Sequence, residues 1–558
     1  MKVLILGGYG VFGGRLAELL SDFAEVELLI CGRNLVSAET FCANYSGQAT
    51  ARPLQLDRKD IAEGLRAEGP DLVVDASGPF QDYGESGYGV ITACISAGIS
   101  YLDFADAADF VFGVSQFDKH AKASNVFIMS GVSSFPVLTA AVLREMAKSM
   151  DIVSVEGGIA PSPFAGIGLN VMRAVAGYAG APVKLRRDGT QTCGIGLAES
   201  MRFTVAVPGR IPLKNIHFSL VDVPDLQVIP PEHPTLRNIW IGAGPVPEFL
   251  HRVLNLLAKA RARFGLPSLV PLSGLFYTVL NLMKFGEHRG GMFVRAHGMN
   301  NGQEIEQSWH LLAEGDDGPY IPSMAVEAII RKLLVGDWPK FGARPATNAL
   351  ELADYDALFA NQSIFTGFRK HDANAPLYRQ VLDSAFDLLP PQVRALHNTS
   401  CLRRWEGWAD VKRGNGMTAR IIGYFIGFPE AGADVPISVA FSPEGSGERW
   451  TRNFGGKIFS SLQTLGRGKN AYLLIERFGM ITVSLALVVD ENRLFLIPRR
   501  WSCFGIPLPK FALPRGKSFE SEVGGVFKFD VEISAPMIGL IVAYHGTLKE
   551  SNGEPTPM

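Results

Sequence analysis

Gly8, Gly10 and Gly13 stand at the G-x-G-x-x-G spacing directly after the apolar run Val3-Leu4-Ile5-Leu6. A strand that turns through such a triplet into a helix is suited to a dinucleotide. Gly8 would permit the tight turn, Gly10 would let backbone N–H groups approach a pyrophosphate, and Gly13 would let helix and strand pack closely. Gly8, Tyr9, Gly10, Val11, Phe12 and Gly13 are therefore candidate cofactor contacts, with the phosphates at the positive end of a helix expected over 11–20. A second apolar strand, Val26 to Ile30, ends in Cys31-Gly32-Arg33-Asn34, about 20 residues beyond Gly13, where such folds read the ribose. NAD binders place a carboxylate there. Here Gly32 and Arg33 take its place, and a guanidinium suits a 2′-phosphate, so Arg33 and Asn34 point to NADP(H).

Further along, Gln55-Leu56-Asp57 reads as the end of a third strand, with Asp57 placed to accept from the adenine amino group. Asp71 to Ala76 reads as a fourth, buried strand that runs into Ser77-Gly78-Pro79-Phe80. Small residues at the carboxyl edge of a sheet mark where a nicotinamide ring would lie, which adds Ser77, Gly78, Pro79 and Phe80 to the candidate contacts. For the proton that accompanies hydride transfer, the candidates are Tyr83 and the pair Tyr101 and Asp103, which follow the fourth and fifth strands. No Tyr has Lys four residues later, so another proton donor than the Tyr-x-x-x-Lys pair is required. The chain also lacks G-x-S-x-G, H-E-x-x-H and G-x-x-x-x-G-K-[ST], which removes the usual support for hydrolase, zinc protease and nucleoside triphosphatase chemistry.

Positioning these residues takes a doubly wound parallel sheet, because apolar runs alternate with helical patterns through Ser100-Tyr101-Leu102-Asp103 and Val126 to Gly131. The combination Gly8-Tyr9-Gly10-Val11-Phe12-Gly13, Gly32-Arg33-Asn34, Ala76-Ser77-Gly78-Pro79-Phe80 with Tyr83-Gly84, and Tyr101-Leu102-Asp103 resembles the NADP-binding domain of saccharopine dehydrogenase-like oxidoreductases. That resemblance implies a second domain inserted after the sixth strand and a later return to the nucleotide domain. Residues 322–335, with Pro322 near the start and Gly336 at the end, fit the returning helix.

The expected organisation is a Rossmann-like domain over 1–134 and 320–345, an inserted α+β substrate domain over 135–319, a linker over 346–375, and a β-rich domain over 376–558. In the last, short alternating segments between Gly and Pro turns predict an all-β, barrel-like fold, with Ala419 to Phe425 counted among its strands. Its texts Glu448 to Gly456, Glu476 to Gly479, Arg499-Arg500-Trp501 and Pro507-Leu508-Pro509 resemble an uncharacterised C-terminal domain fused to such oxidoreductases. The arginines with Trp450 and Trp501 suit either a pocket for an anionic or acyl ligand or ion pairs with Glu448 and Glu476.

With 558 residues, two or three domains are expected, and a net charge of -2 gives no case for nucleic acid. Six cysteines without a C-x-x-C pair predict reduced thiols, no metal site and a cytoplasmic setting, and a first strand at Lys2 predicts no leader. The uncharged stretch from Phe264 to Met283, bracketed by Arg261, Arg263 and Lys284, leaves two alternatives: a buried or lid helix, or peripheral membrane contact through 247–285. The partners expected are a small-molecule or acyl substrate, with a second copy of the chain as a further alternative. The function expected is NADP(H)-dependent hydride transfer at a C–N, C–O or conjugated C–C bond. Its rivals are a trans-acting enoyl or lipid reductase and a catalytically silent NADP-binding sensor with a ligand-binding β domain.

Overall fold

The structure, a computed structural model, describes residues 1–82, 87–166, 168–398 and 401–551. The chain divides into two compact units, Met1–Phe203 with Ile216–Phe365, and Thr204–Asn215 with Thr366–Met558.

The first unit is built on β1 (Lys2–Leu6), α1 (Val11–Leu19), β2 (Glu27–Gly32), α2 (Leu35–Asn44), β3 (Thr50–Gln55), α3 (Ile61–Glu68), β4 (Leu72–Asp75), α4 (Gly89–Ala97), β5 (Ser100–Asp103) and β6 (Phe127–Ser130). All pairings are parallel, in the order β6-β5-β4-β1-β2-β3, with Gly342–Pro345 added beside β6. The apolar runs explain this placement. Val3, Leu4 and Ile5 are 0% exposed, as are Val73 and Val74, because helices cover both faces of a parallel sheet. The order reverses on either side of β1, which makes the carboxyl edge between β1 and β4 the switch point where ligands bind.

After β6 the chain builds a second, mixed sheet. Its order is Ser200–Phe203, Ile216–Leu220, Asn238–Ala243, Asp151–Ala160, Arg289–Asn300, Gln303–Glu314 and Ile364–Lys370, the last running on into the second unit. Three of its helices matter below: α5 (Leu169–Tyr178), α6 (Glu248–Phe264) and α7 (Ser273–Leu282). The return helix expected over 322–335 is α8 (Ile321–Leu334), and Ser323 Oγ donates to Phe12 O at 3.1 Å, which ties it to α1. Nucleotide sheet and inserted sheet are separate sheets that lie within one compact unit.

The linker expected over 346–375 is ordered. Helix Leu352–Phe359 begins with a capping box between Glu351 and Asp354, and Ile364–Lys370 is a strand. The composition looked like a linker, but the E-x-x-D pair satisfies the free N–H groups of a helix start.

The second unit is a closed antiparallel barrel of ten strands, Arg403–Arg413 through Gly539–Glu550. Each strand pairs with its predecessor, and the first pairs with the last, so no edge in the ring is left open. The segment over 204–215 from the first half of the chain lies along it, with Val489 N donating to Gly209 O at 3.0 Å. One expected strand is absent. Ala419 to Phe425 lies in helix α9 (Met417–Ile426), which starts after Gly416 and ends on Gly427 at φ +81°. Ala419, Ile422 and Ile426 turn inward at helical spacing.

Candidate cofactor and active site

The turn after β1 is held by its own backbone. Gly7 N and Gly8 N both donate to Cys31 O, at 2.8 and 3.0 Å, and Gly10 N donates to Gly7 O at 2.8 Å. The left-handed residue is Gly7, at φ +74°, where a Cβ would lie 2.8 Å from Ala76 O. The left-handed residue of the turn is thus Gly7, and at Gly8, which the spacing singled out, a Cβ would lie 3.0 Å from Ile5 O and 3.1 Å from Ile30 Cα. At Gly13 a Cβ would stand 2.8 Å from Gly8 Cα, so close packing of α1 on the turn excludes any side chain there. Gly10 caps α1, and the N–H groups of Val11, Phe12 and Gly13 have no carbonyl within the helix to bond. This cradle suits the pyrophosphate of a dinucleotide.

At the end of β2, Tyr9 packs its ring against Gly32, where a side chain would collide with it, and its hydroxyl accepts from Asn34 N at 3.2 Å. Asn34 spends its Oδ1 on Ser37 N, capping α2, and one oxygen of Asp57 accepts from Lys59 N at 3.1 Å. These side-chain oxygens, expected on ribose and adenine, serve the backbone in this structure. Arg33 is exposed, and its guanidinium makes no ion pair among the described residues.

At the carboxyl end of β4, Asp75 is fully buried. It is held by Arg58, by Ser77 Oγ at 2.6 Å and N at 3.0 Å, and by the Tyr101 hydroxyl at 3.4 Å. A buried carboxylate needs such pairing, and loss of its cation typically costs about 3–5 kcal/mol. Phe80 is 5% exposed, with its ring 5.2 Å from Phe110, so it belongs to the core and not to a nicotinamide face.

Two of the expected proton donors do not face the cleft. Tyr101 is 0% exposed, and burial, with Asp103 and Asp75 nearby, raises its pKa well above the ordinary range. Asp103 is also 0% exposed, and its Oδ1 accepts from Ala105 N, Ser130 Oγ and Gly131 N at 3.0, 3.0 and 2.7 Å. It ties the ends of β5 and β6 together. Burial pushes its pKa up to about 7 against those hydrogen bonds. Tyr83 lies outside the described residues.

The inserted sheet contributes what the local pattern did not show. Asn170, at the start of α5, donates through Nδ2 to Gly78 O at 2.7 Å, and Arg15 of α1 donates to Ala165 O and Pro319 O at 3.3 and 3.1 Å. The chain around α5 thus spans the edge from the glycine turn to the Ser77-Gly78-Pro79 loop. Beyond it lies an acidic group. Asp106 takes a hydrogen bond from Gln81 Nε2 at 3.2 Å, while Asp109 accepts from Lys184 Nζ at 2.7 Å and Gln227 Nε2 at 2.9 Å. Burial, reinforced by Asp109 and Asp106, pushes Asp222 up to about 6. Burial likewise raises Asp106, and it raises the half-buried Tyr178 together with Asp106 and Asp222. A carboxyl raised in this way beside other carboxyls is suited to acid–base work. The D-x-x-D-x-x-D text of Asp103, Asp106 and Asp109 signals part of this group in the sequence. Nothing local marks Asn170, Tyr178 or Asp222.

Residues 3–133 match the family model described as the saccharopine dehydrogenase NADP binding domain, and residues 389–548 match a domain of unknown function, DUF4166. The N-terminal domain is saccharopine dehydrogenase-like. It supports an NAD(P)-dependent oxidoreductase. No curated protein sequence matches the chain. Among solved structures, the apo saccharopine dehydrogenase (L-Glu forming) of Saccharomyces cerevisiae is similar at 12% identity and TM-score 0.48, over 66% of this chain and 100% of that one. DAP dehydrogenase of C. glutamicum, in complex with DAP, is similar at 13% identity and TM-score 0.34, over 64% of this chain and 98% of that one. A dehydrogenase of Thermus thermophilus, in complex with NAD and alpha-ketoglutarate, gives 12% identity and TM-score 0.28, over 61% and 90%.

The stretch Phe264 to Met283 is neither one helix nor buried. It holds the end of α6, a short turn and α7, and no helix among the described residues is long and apolar enough to cross a membrane. On α6, His251 and Asn255 face inward, Asn255 bonding Leu197 O and Ser219 Oγ, whereas Phe249, Val253 and Leu256 are exposed along with Arg252, Lys259 and Arg263. Arg261 is not a free surface cation, because its Nη1 donates to Gly177 O and Ala179 O at the end of α5.

Proposed function

We propose that the protein is an NADP(H)-dependent oxidoreductase that moves a hydride to or from a C–N, C–O or conjugated C–C bond of a small or acyl substrate. The observation that carries this is the glycine cradle followed by an exposed, unpaired Arg33 at the end of β2. Gly7 to Gly13 would hold the pyrophosphate, and Arg33 the 2′-phosphate. The nicotinamide supplies the hydride. The chain's own share is orientation and the proton: Asn170 holds the Gly78 carbonyl, and Asp222, protonated to about pH 6 and backed by Asp106, hands a proton to the heteroatom or carbon that receives the electron pair. Replacing Arg33 by Ala should weaken NADPH by about 1.5–3 kcal/mol and leave NADH nearly unchanged, measured by calorimetric titration. Equal losses for both cofactors would refute the assignment.

Among substrate classes, an acyl chain is favoured by one observation. Leu256, Phe264, Leu275, Leu282 and Phe285 are between 59% and 77% exposed on or beside α6 and α7, and Lys259, Arg263 and Lys284 are exposed along the same stretch. Apolar side chains ringed by cations match an anionic lipid surface, from which an acyl substrate would be drawn.

A further inference from the structure

The barrel is not filled by its own side chains. An eight-stranded barrel has an interior just wide enough for side chains, and wider ones enclose ligand cavities. Here ten strands surround a cavity of about 420 Å³, within the range of small-molecule sites. Its walls are apolar, among them Ile426, Phe428, Val439, Phe529 and Ile541. Ile422 and Ile426 of α9 and the turn over 535–538 line one end, where Met537 is fully exposed, so the interior has a mouth.

Polar groups gather at one region of this lining, and they are built into it. Glu476 Oε1 accepts from Ser461 Oγ at 2.7 Å, Gln463 Nε2 at 3.1 Å and Arg452 Nη2 at 3.2 Å. Arg452 lies over the Trp450 ring at 5.0 Å. Beside Trp450, the Tyr378 ring stacks on His397 at 3.6 Å between centroids, and His397 bonds Glu520. In this buried region Arg452 pairs with Glu476 and His397 bonds Glu520, whereas Arg515, also on the lining, is exposed.

His397 Nδ1 in this cluster has no hydrogen bond, and on the cavity lining itself two more polar atoms have none among the described residues. Tyr378 Oη and Gln463 Oε1 are buried without a hydrogen bond, in side chains 0% and 1% exposed. An unsatisfied buried polar atom is costly, on the order of 1–3 kcal/mol, and natural interiors rarely keep one. One is a donor and the other an acceptor. The tyrosine also stays a donor, because burial and the nearby Glu520 and Glu476 hold its proton on.

We infer that the barrel binds one lipid-like molecule, an apolar chain with an uncharged head that both accepts and donates a hydrogen bond, such as a long-chain alcohol or primary amide. The chain lies along the apolar wall. The head takes the Tyr378 hydroxyl proton as acceptor and gives its own to Gln463 Oε1. An ionised carboxylate is disfavoured at this head site, since it can only accept and would face the Gln463 Oε1 acceptor with no proton to give.

The test uses the full chain without nicotinamide cofactor and the uncharged fluorophore N-phenyl-1-naphthylamine, displaced by 1-dodecanol, dodecanamide or dodecanoate at pH 8. Saturable one-to-one binding of the fluorophore is expected, with dodecanol and dodecanamide displacing it at concentrations at least about tenfold below dodecanoate. Tyr378→Phe and Gln463→Leu should each weaken dodecanol by about tenfold, the worth of one hydrogen bond to a buried group, once displacement is corrected for each variant's own fluorophore affinity. The two variants lie on different elements, so a folding defect in one leaves the other informative. No fluorophore binding by folded wild type would show a closed core and end the proposal. Equal displacement by dodecanoate, or unchanged dodecanol affinity in a folded variant, would overturn the assignment of the head.

Discussion

In the glycine turn, what a ligand meets is backbone, and the site exists because side chains are missing at Gly7, Gly10 and Gly13. In the barrel the polar lining is side chain: Arg452, Gln463 and Glu476 come from three consecutive paired strands, and Tyr378 and Glu520 are brought to them from a helix and a strand elsewhere in the chain. The first kind of site tolerates almost any residue around it but no Cβ within it. The second depends on which polar atoms remain unpaired. The comparison teaches why one site carries a short motif and the other carries none.

The sharpest way to break the comparison is Gly13→Val. The new side chain would collide with the Gly7–Gly8 backbone, so NADPH binding should fall at least about 10³-fold in calorimetric titration, while fluorophore binding by the barrel stays at the wild-type value. A parallel loss at both sites would mean that the two units do not act separately. Next in size is Asp222→Asn. If this carboxyl delivers the proton, turnover of a reducible substrate drops by roughly 10²-fold with NADPH affinity unchanged, and the fall in wild-type rate above about pH 6 disappears from the profile. An unaltered pH profile removes Asp222 from the chemistry.

Asp103→Asn probes stability rather than rate. In the folded chain Asp103 titrates near 7, against an ordinary value of 3.8, so between these the native state binds a proton that the unfolded chain does not. Its contribution is therefore fully favourable below about pH 4, declines as pH rises toward 7, and is flat beyond. The asparagine variant should lack that decline and exceed wild type at pH 8 by roughly 1–3 kcal/mol, read from urea midpoints. A wild-type slope of opposite sign would show that Asp103 is ionised in the fold. The smallest effect belongs to the exposed face of α6 and α7. Sedimentation with anionic vesicles should weaken as salt rises and weaken again in Arg263→Glu, each cation being worth about 1 kcal/mol near the surface. Wild type remaining in the supernatant at low salt would leave the acyl substrate without its proposed source.

Much of the first sheet was legible because its requirements are local. Four apolar residues followed by spaced glycines specify a buried parallel strand and a turn, and Pro322 with Gly336 marked the return helix. The barrel's existence was legible from alternation and turns, yet Ala419 to Phe425 misled. Its apolar residues satisfy both periods over so short a run, and only packing inside the ring decides for helix. The inward side of α6 was illegible for a related reason. Polar Asn255 is the inward residue because Ser219 and the Leu197 carbonyl wait for it on a strand and loop that the helix cannot announce. At the carboxyl edge of the sheet, the fourth and fifth strands were placed correctly in order, but Tyr101 and Asp103 are buried in the interior. Asn170, which bonds the Gly78 carbonyl, and the interacting Tyr178 and Asp222 lie well beyond the motif in sequence.

Closure of the ring also sets an order of events during synthesis. The nucleotide sheet has all its strands once Gly342–Pro345 has been made, and its contacts are mostly between neighbours in the chain. The barrel has to wait, because Trp405 of its first strand pairs with Glu550 of its last. Until Gly539–Glu550 emerges, two strands keep open edges, and pairing across so long a loop is slow. A ribosome stalled within the last strand would therefore leave a finished nucleotide sheet tethered to an unclosed, edge-exposed barrel, and that interval is when this chain most needs protection from aggregation.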